Sequence, residues 1–600
     1  MFKIFIFVIE IILTLYFCGY GLTSIFLPDK LRKDSFFIIP WLGIILITIT
    51  GVSVTMARIP LIYGKYIILL ISALLILYSM VCKKVLASFN KETKLISIFF
   101  LFILFFNLYP LITKAGFPTT ISLGNLDPIS YTNVSDFLVK NSLLDGKKIV
   151  HFAPHLWPVG DLLYYSFRWG SPIFLGFISS LMNVRAYEVY SILITILFAL
   201  SFPLVYVLSK SFSSIKSNFL ILLIFITFGM NSILLYLLYN VFFAQFLFSG
   251  IFILILIFIH SYSFKKRENG FLFNSYDFLI GLAVSSVTMI YPEGLTFIIA
   301  PISVFFIIKL FTNERLNVFI SLLKIGVITT IINPMTLGTA INWNYKIFFL
   351  IARTSFIGWE KIRYSTPLDM TGLYNLFYYK NIPLKIDFLI GILVMVILLF
   401  GLFKLKNRLI IFSYLTIFVS FYLLYIFVYP NYYTHLKVVS FMLFIFSIIF
   451  SIGIISLIRL SKNKIFNFFI VMLLLSLSLR SAIRTMTQLY YHSRVVDKKL
   501  ISLRELNSNR KINEPFYTSD IFLGEYDIWR RLWQEYFLDE QKIITMTNQA
   551  YDFNYFKNIK LVLSEKGITE FEHKKIKYKK IIWSNGYYQL GEIDIYEKNK

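Results

Sequence analysis

A carboxylate just outside an apolar run, beside a short amphipathic helix, is placed to meet a substrate carried by a membrane lipid. Asp127 fits that description. It follows an apolar run ending near residue 113, and Pro128 opens a predicted helix with Tyr131, Val134, Phe137 and Leu138 on its apolar face. The alternative for Asp127 is an N-cap of that helix. Asp136 lies on the same helix, and Asp145-Gly146 is a turn signal. Glu293 sits in Tyr291-Pro292-Glu293-Gly294 between two apolar runs. At membrane depth a carboxylate is costly and tends to be functional; in a turn reaching the surface it is merely solvated. Arg353 and Arg363 offer a guanidinium fork for a lipid phosphate, although their Trp- and Tyr-rich surroundings also read as a stretch lying in the headgroup layer. His435 and Lys437 stand at the start of another apolar run, where a lysine also snorkels to the headgroups. His151 and His155 have a helical metal-binding interval, but Pro154 between them argues against a helix and so against ligation. No Walker A, Rossmann glycine pattern or His-Glu-x-x-His occurs.

The elements that must position these residues are membrane spans. The 600 residues carry 58 Lys+Arg against 32 Asp+Glu, a net charge of +26, yet only 15% are charged and 58% are apolar. That balance excludes disorder, a nucleic-acid partner and a water-soluble globule. A spanning helix needs roughly 20 mostly apolar residues. Runs of that kind lie near 2–26, 36–56, 66–82, 95–113, 186–208, 218–238, 241–262, 277–291, 295–312, 318–338, 385–404, 408–429, 438–458 and 464–483, fourteen in all. The pair 277–312 is short enough to be either two spans or one re-entrant hairpin. The stretch 171–184, opening on Ser171-Pro172, is too short to span and is expected at the interface. Cys18 and Cys82 both lie in apolar runs, so there is no disulfide framework.

Loop charges set the orientation. Lys30, Arg32 and Lys33; Lys83, Lys84, Lys91 and Lys94; Lys210 and Lys216; Lys265, Lys266 and Arg267; Lys309 and Arg315; Lys404, Lys406 and Arg408; and Arg459, Lys462 and Lys464 all fall on one side of an alternating fourteen-span path. The three long segments 114–185, 339–384 and 484–600 fall on the other. The N-terminus and the C-terminal segment are therefore expected outside a bacterial or archaeal cell membrane. The first run has only Lys3 before it and no small-x-small cleavage site after it, so it reads as a retained helix.

Residues 484–600 change composition and read as a small α/β domain. A basic helix from Lys498 to Arg510 precedes Phe516-Tyr517-Thr518, a Trp-rich helix from Asp527 to Phe537 and a strand at 560–563. A closing hairpin follows, in which Asn585-Gly586 is a type I′ turn signal. The expected fold class is thus an all-α polytopic membrane protein with a small extracytoplasmic α/β domain. It divides into 1–94, three additional N-terminal helices; 95–483, the transmembrane core with outer loops 114–185 and 339–384; and 484–600.

Within 95–483 the sequence resembles the GT-C superfamily of membrane glycosyltransferases, which includes the protein O-mannosyltransferases and the aminoarabinose transferases of lipid A. The likeness rests on Asn125-Leu126-Asp127 and the Tyr131 helix after the fourth run, on PVGDLLYYSFRWGSPIFLGFISSLMNVRAYEVY at 158–190, on YPEG at 291–294 and on YYTHLK at 432–437. Three helices precede the one that would be first in the family, and Asn-Leu-Asp stands where an acidic pair is usual. The resemblance implies transfer of a sugar from a polyprenyl-phosphate donor to a glycan, lipid or protein acceptor on the outer face. Direct displacement would need a base, for which Asp127 is the candidate, and cations for the departing phosphate. Tyr131, Asp136, Glu293, Arg353, His435 and Lys437 are the candidate substrate-binding residues. No cofactor is expected, because one carboxylate and an amide make a poor divalent-cation site. The alternatives are a many-span polysaccharide polymerase or ligase, a non-enzymatic transporter, and an inactive relative that keeps the fold.

Overall fold

The protein, seen in a computed structural model, is described for residues 1–82, 91–145, 158–160, 168–213, 218–262, 274–311, 315–346, 364–373, 384–406, 408–460, 463–509, 514–518, 528–544, 561–566, 570–571 and 574–596, together with Leu156 and Ile512. Each of the fourteen apolar runs is helical. Among the described residues eleven helices are long and apolar enough to cross a membrane. A bent pair, Asn218–Gly229 and Ser232–Tyr239, would make a twelfth span. Its 47° bend has a local cause. Asn231 at the break caps the second half by accepting from the Ile233 amide at 2.9 Å, and it donates to the carbonyls of Thr227 at 3.0 Å and Met370 at 3.1 Å. Ser275–Ile290 has 16 residues, too few to cross alone, and is joined through Pro292–Gly294 to Leu295–Leu310.

Close helix approach is built from small residues, as in other membrane bundles. Phe2–Phe26 crosses Ser35–Met56 at Gly19 and Gly43, where a methyl group on Gly19 would lie 1.9 Å from the Ile39 carbonyl oxygen. The ends of the bundle differ in chemistry. At one end Lys210 pairs with Asp34 and, at 3.7 Å, with Glu92, while the Lys406 amide donates to Phe212. At the other end the N-terminal ammonium donates to the Gly116 carbonyl at 2.6 Å and Lys3 pairs with Glu188 at 3.0 Å. The C-terminal segment joins that second end, where Ile121 and Ser122 pair antiparallel with Val495 and Arg494.

Helix Gly170–Leu181, too short to span, is enclosed by other helices. Residues Gly170 to Ser180 are buried on every side, packed among Ser35–Met56, Leu61–Val81, Asp127–Lys140 and Ala186–Phe212. Its surround of apolar helices, with Ile173, Phe174, Leu175 and Phe177 fully buried, makes it an internal brace.

The C-terminal residues form a six-stranded sheet, ordered Ile543–Ile544, Phe516–Thr518, Leu561–Glu565, Tyr588–Tyr596, Lys574–Ser584 and Glu570–Phe571. The first three strands are parallel and the others antiparallel. Ile528–Phe537 covers the sheet through Trp529, Trp533, Tyr536 and Phe537, in one apolar cluster with Leu561, Leu590, and Ile129 and Tyr187 from the bundle. The expected long basic helix is broken into Lys498–Ile501 and Arg504–Asn509. The hairpin is present, but its turn is not type I′, since neither Asn585 nor Gly586 has the positive φ that type requires. Instead the Asn585 side chain accepts from the amides of Tyr587 and Tyr588, each at 2.8 Å.

Candidate functional site

Four charged side chains from distant parts of the sequence converge at the end of the bundle that carries the C-terminal sheet. Asp127 is the first residue of the helix Asp127–Lys140, with Pro128 fixing the backbone of the first turn. Its position is set from behind. The Asn125 side chain accepts from the Asp127 amide at 3.2 Å and donates to the Asn240 carbonyl at 2.6 Å, while the Leu123 amide donates to Tyr239. Leu126 stands at the cap position and Asp127 is already the first helical residue, so the N-cap alternative does not describe it.

Arg168 is the second member. Its backbone is left-handed at φ 57°, an uncommon state for a long side chain and one associated with functional sites. The next residues explain what holds it. Gly170 lies so close to Thr48 and Ile290 that an added methyl group would stand 2.7 and 3.0 Å from their side chains, and the Ser171 hydroxyl donates to the Ile290 carbonyl at 2.9 Å. The chain is thereby fixed against the Tyr291–Gly294 turn. Arg168 donates through Nε to Glu293 Oε1 at 2.9 Å, again to that oxygen through Nη2, and through Nη1 to the Tyr131 hydroxyl at 3.3 Å.

Glu293 is buried, not solvated in a surface turn. The turn is tied down by Asn344, which donates to the Pro292 carbonyl at 2.7 Å and accepts from Thr296 at 2.7 Å. The second carboxylate oxygen of Glu293, also buried, has no hydrogen-bond partner among the described residues. Lys437, near the start of Tyr432–Leu460, lies over the Tyr433 ring at 4.3 Å and the Tyr291 ring at 5.8 Å. Arg168 also lies against the Tyr291 ring, its guanidinium carbon 5.0 Å from the centroid.

Asp127 feels all three neighbours. Burial pushes its carboxyl above the ordinary aspartate value, Arg168 and Lys437 pull it down, and Glu293 pushes it up. Two carboxylates and two cations balance formally, leaving a polar, charge-compensated site bordered by Tyr131, Tyr190 and Tyr291. A divalent ion does not fit this donor set. Arg168 already occupies a Glu293 oxygen, the cations repel a metal, and among the described residues no three His, Cys, Asp or Glu side chains group for ligation.

The remaining sequence candidates lie elsewhere. Asp136 is nine residues further along its helix, about 13 Å in rise. Its carboxylate accepts from Arg185 Nε at 2.8 Å, the Ala186 amide at 2.9 Å and the Tyr536 hydroxyl at 2.5 Å, so its acceptors serve the junction with the C-terminal segment. It borders a cavity of about 770 Å3 with Lys140, Arg185, Arg504 and Asp539, and neither Asp127, Glu293 nor Lys437 lines that cavity. His435 is only two residues from Lys437, but two residues on a helix are about 200° apart. It therefore points away from the cluster, buried between the rings of Tyr364 and Tyr422 at 5.1 and 4.7 Å. Arg353, Arg363, His151 and His155 lie outside the described residues.

Sequence reasoning singled out Asp127, Tyr131, Glu293 and Lys437 but not Arg168. The available signal was a lone cation in Phe167-Arg168-Trp169, immediately before a helix with no charged residue, where an arginine must find a partner.

No protein-family model matches the sequence, and no curated protein matches it. The structure is similar to two of the Archaeoglobus fulgidus oligosaccharyltransferase. One is AglB in complex with an inhibitory peptide and a dolichol-phosphate, at TM-score 0.46 and 13% identity, covering 79% of this chain and 69% of that one. The other is the apo form, at TM-score 0.48 and 14% identity with the same coverages.

Proposed function

We propose that this chain is a membrane glycosyltransferase that moves a sugar from a polyprenyl-phosphate donor to an acceptor hydroxyl or amide on the outer face of the membrane. The observation that carries the reading is the convergence of Asp127, Arg168, Glu293 and Lys437, drawn from four segments, in one charge-compensated site at the end of a membrane bundle. In the proposed step the acceptor oxygen or nitrogen attacks the anomeric carbon and gives its proton to Asp127. The bond from that carbon to the phosphate oxygen breaks, and its electron pair leaves with the polyprenyl phosphate. Lys437 offsets the negative charge on the departing phosphate, while Arg168 holds Tyr131 and Glu293 in place around the reacting centre. The carboxyl of Asp127, raised by burial, is a stronger base when ionised than a solvated aspartate, which suits proton abstraction.

The test is transfer of radiolabelled sugar in membranes containing the protein, supplied with a panel of polyprenyl-phosphate sugars and compared with membranes lacking it. Label appearing in an acceptor only when the protein and one donor are both present supports the reading. Absence of transfer from every donor turns it toward a polymerase, a carrier or an inactive relative.

A further inference from the structure

Val241 holds a backbone conformation that its side chain opposes. At φ 56° it lies in the left-handed region, an outlier for a β-branched residue. The cause is its place in the chain. Ser232–Tyr239 ends with Asn240 at its cap, Val241 follows, and the chain then enters Phe243–Ser261. The Val241 amide donates to the Leu238 carbonyl at 3.0 Å and the Phe242 amide to the Leu237 carbonyl at 3.4 Å. That pair of bonds makes a Schellman ending, whose left-handed position is usually glycine. A buried valine persists in such a state only where its surroundings fix it.

The surroundings are the segment leading to Asp127 and one tyrosine. Three consecutive carbonyls at this helix end each accept from outside the helix. Tyr239 takes the Leu123 amide at 2.9 Å, Asn240 takes Asn125 Nδ2 at 2.6 Å, and Val241 takes the Tyr190 hydroxyl at 2.9 Å. The last carbonyls of a helix have no partner within it, so these donors complete the ending. The first two stand four and two residues before Asp127, and Asn125 also accepts from the Asp127 amide at 3.2 Å. The third reaches across from Ala186–Phe212. There Tyr190 is fully buried, its ring 5.4 Å from that of Phe243 and 6.5 Å from that of Tyr131.

We infer that Tyr190 is a positioning residue for Asp127: its hydroxyl holds the left-handed Val241 turn, which fixes the carbonyls on which Leu123 and Asn125 dock and so places the carboxylate. The inference rests on the reading of Asp127 as the base, because a small misplacement of a reacting group lowers the rate steeply. The hydroxyl hydrogen of Tyr190 goes to Val241, so Tyr190 acts on Asp127 through the turn.

The experiment makes Tyr190→Phe in the full-length protein, once with Asp127 present and once together with Asp127→Asn. With Asp127 present, kcat for sugar transfer should fall about tenfold while the donor KM holds. In the Asp127→Asn background the same change should lower transfer no further, because the group being positioned is gone. A merely structural tyrosine would reduce transfer equally in both backgrounds. Amide hydrogen exchange in detergent reads the docking without any substrate. The Leu123 and Asp127 amides should exchange about tenfold faster in Tyr190→Phe, whereas the Val496 amide, bonded to the Thr120 carbonyl, should not change. If wild type transfers no sugar, the function proposed above fails, and exchange alone decides whether Tyr190 holds the segment. Unchanged exchange at Leu123 and Asp127 overturns the inference, as does an equal loss of transfer in the two backgrounds or a loss confined to KM.

Discussion

Replacing Glu293 by glutamine tests the electrostatics of the cluster from its most buried carboxylate. One Glu293 oxygen takes two donors of Arg168, and the two side chains keep only 10% and 20% of their surface exposed. Removing one partner of a buried ion pair costs about 3–5 kcal/mol, and the residual exposure reduces that to about 3 kcal/mol for Glu293→Ala. Glutamine keeps an acceptor in the same place, so Glu293→Gln should cost about 1.5 kcal/mol. A double-mutant cycle with Arg168→Gln, read from unfolding in detergent, should return a coupling of about 2 kcal/mol. The substitution also has a chemical readout. Glu293 is one of the groups holding the Asp127 carboxyl up, while Arg168 and Lys437 pull it down. Without the Glu293 charge, two cations face one carboxylate and the Asp127 value falls. As the proposed base, Asp127 is active when ionised, so the acid limb of sugar transfer should move to lower pH in Glu293→Gln. An acid limb that stays in place or moves up, together with a coupling below about 0.5 kcal/mol, would refute the reasoning.

Lys437→Met keeps most of the side-chain volume over Tyr433 and Tyr291 but removes the cation. Transfer should lose about 10²–10³-fold in kcat, with Lys437→Arg retaining part of it; a loss confined to KM would reassign Lys437 to donor binding. On the helix that covers the C-terminal sheet, burial pushes the Glu535 carboxyl from an ordinary 4.5 up to about 7, although Arg531 stands 3.5 Å away. A value raised in the folded state stabilises below the unfolded value and is lost as pH rises through the folded one. Opening of Ile528–Phe537 should therefore become easier from pH 4.5 to 7 by up to about 3 kcal/mol in wild type and stay flat in Glu535→Gln, measured by amide hydrogen exchange.

The helices were legible because about 20 apolar residues in a row have few other structures open to them. Pro128 and the spacing of Tyr131, Val134 and Leu138 marked the Asp127 helix for the same kind of local reason. What sequence could not carry is partnership. Asp136 and Asp127 look alike on one helix, and only tertiary structure separates them, by placing Arg185 and Tyr536 on the former. His435 and Lys437 belong to one motif in sequence, yet helical geometry sends them to opposite faces. Residues 171–184 were too short for a span, and length alone does not distinguish an interfacial helix from one buried within the bundle. The Asn585-Gly586 turn shows side-chain capping by Asn585 overriding the expected turn geometry.

The central claim is that Asp127 takes the acceptor's proton, and Asp127→Asn addresses it most directly. Asp127 lies inside its helix, after the cap position at Leu126, so the isosteric change should leave folding intact. Sugar transfer, assayed at equal protein level with the donor that wild type uses, should fall about 10²–10⁴-fold while binding of the polyprenyl-phosphate donor persists. Transfer by Asp127→Asn at the wild-type rate would contradict the account and place the base elsewhere.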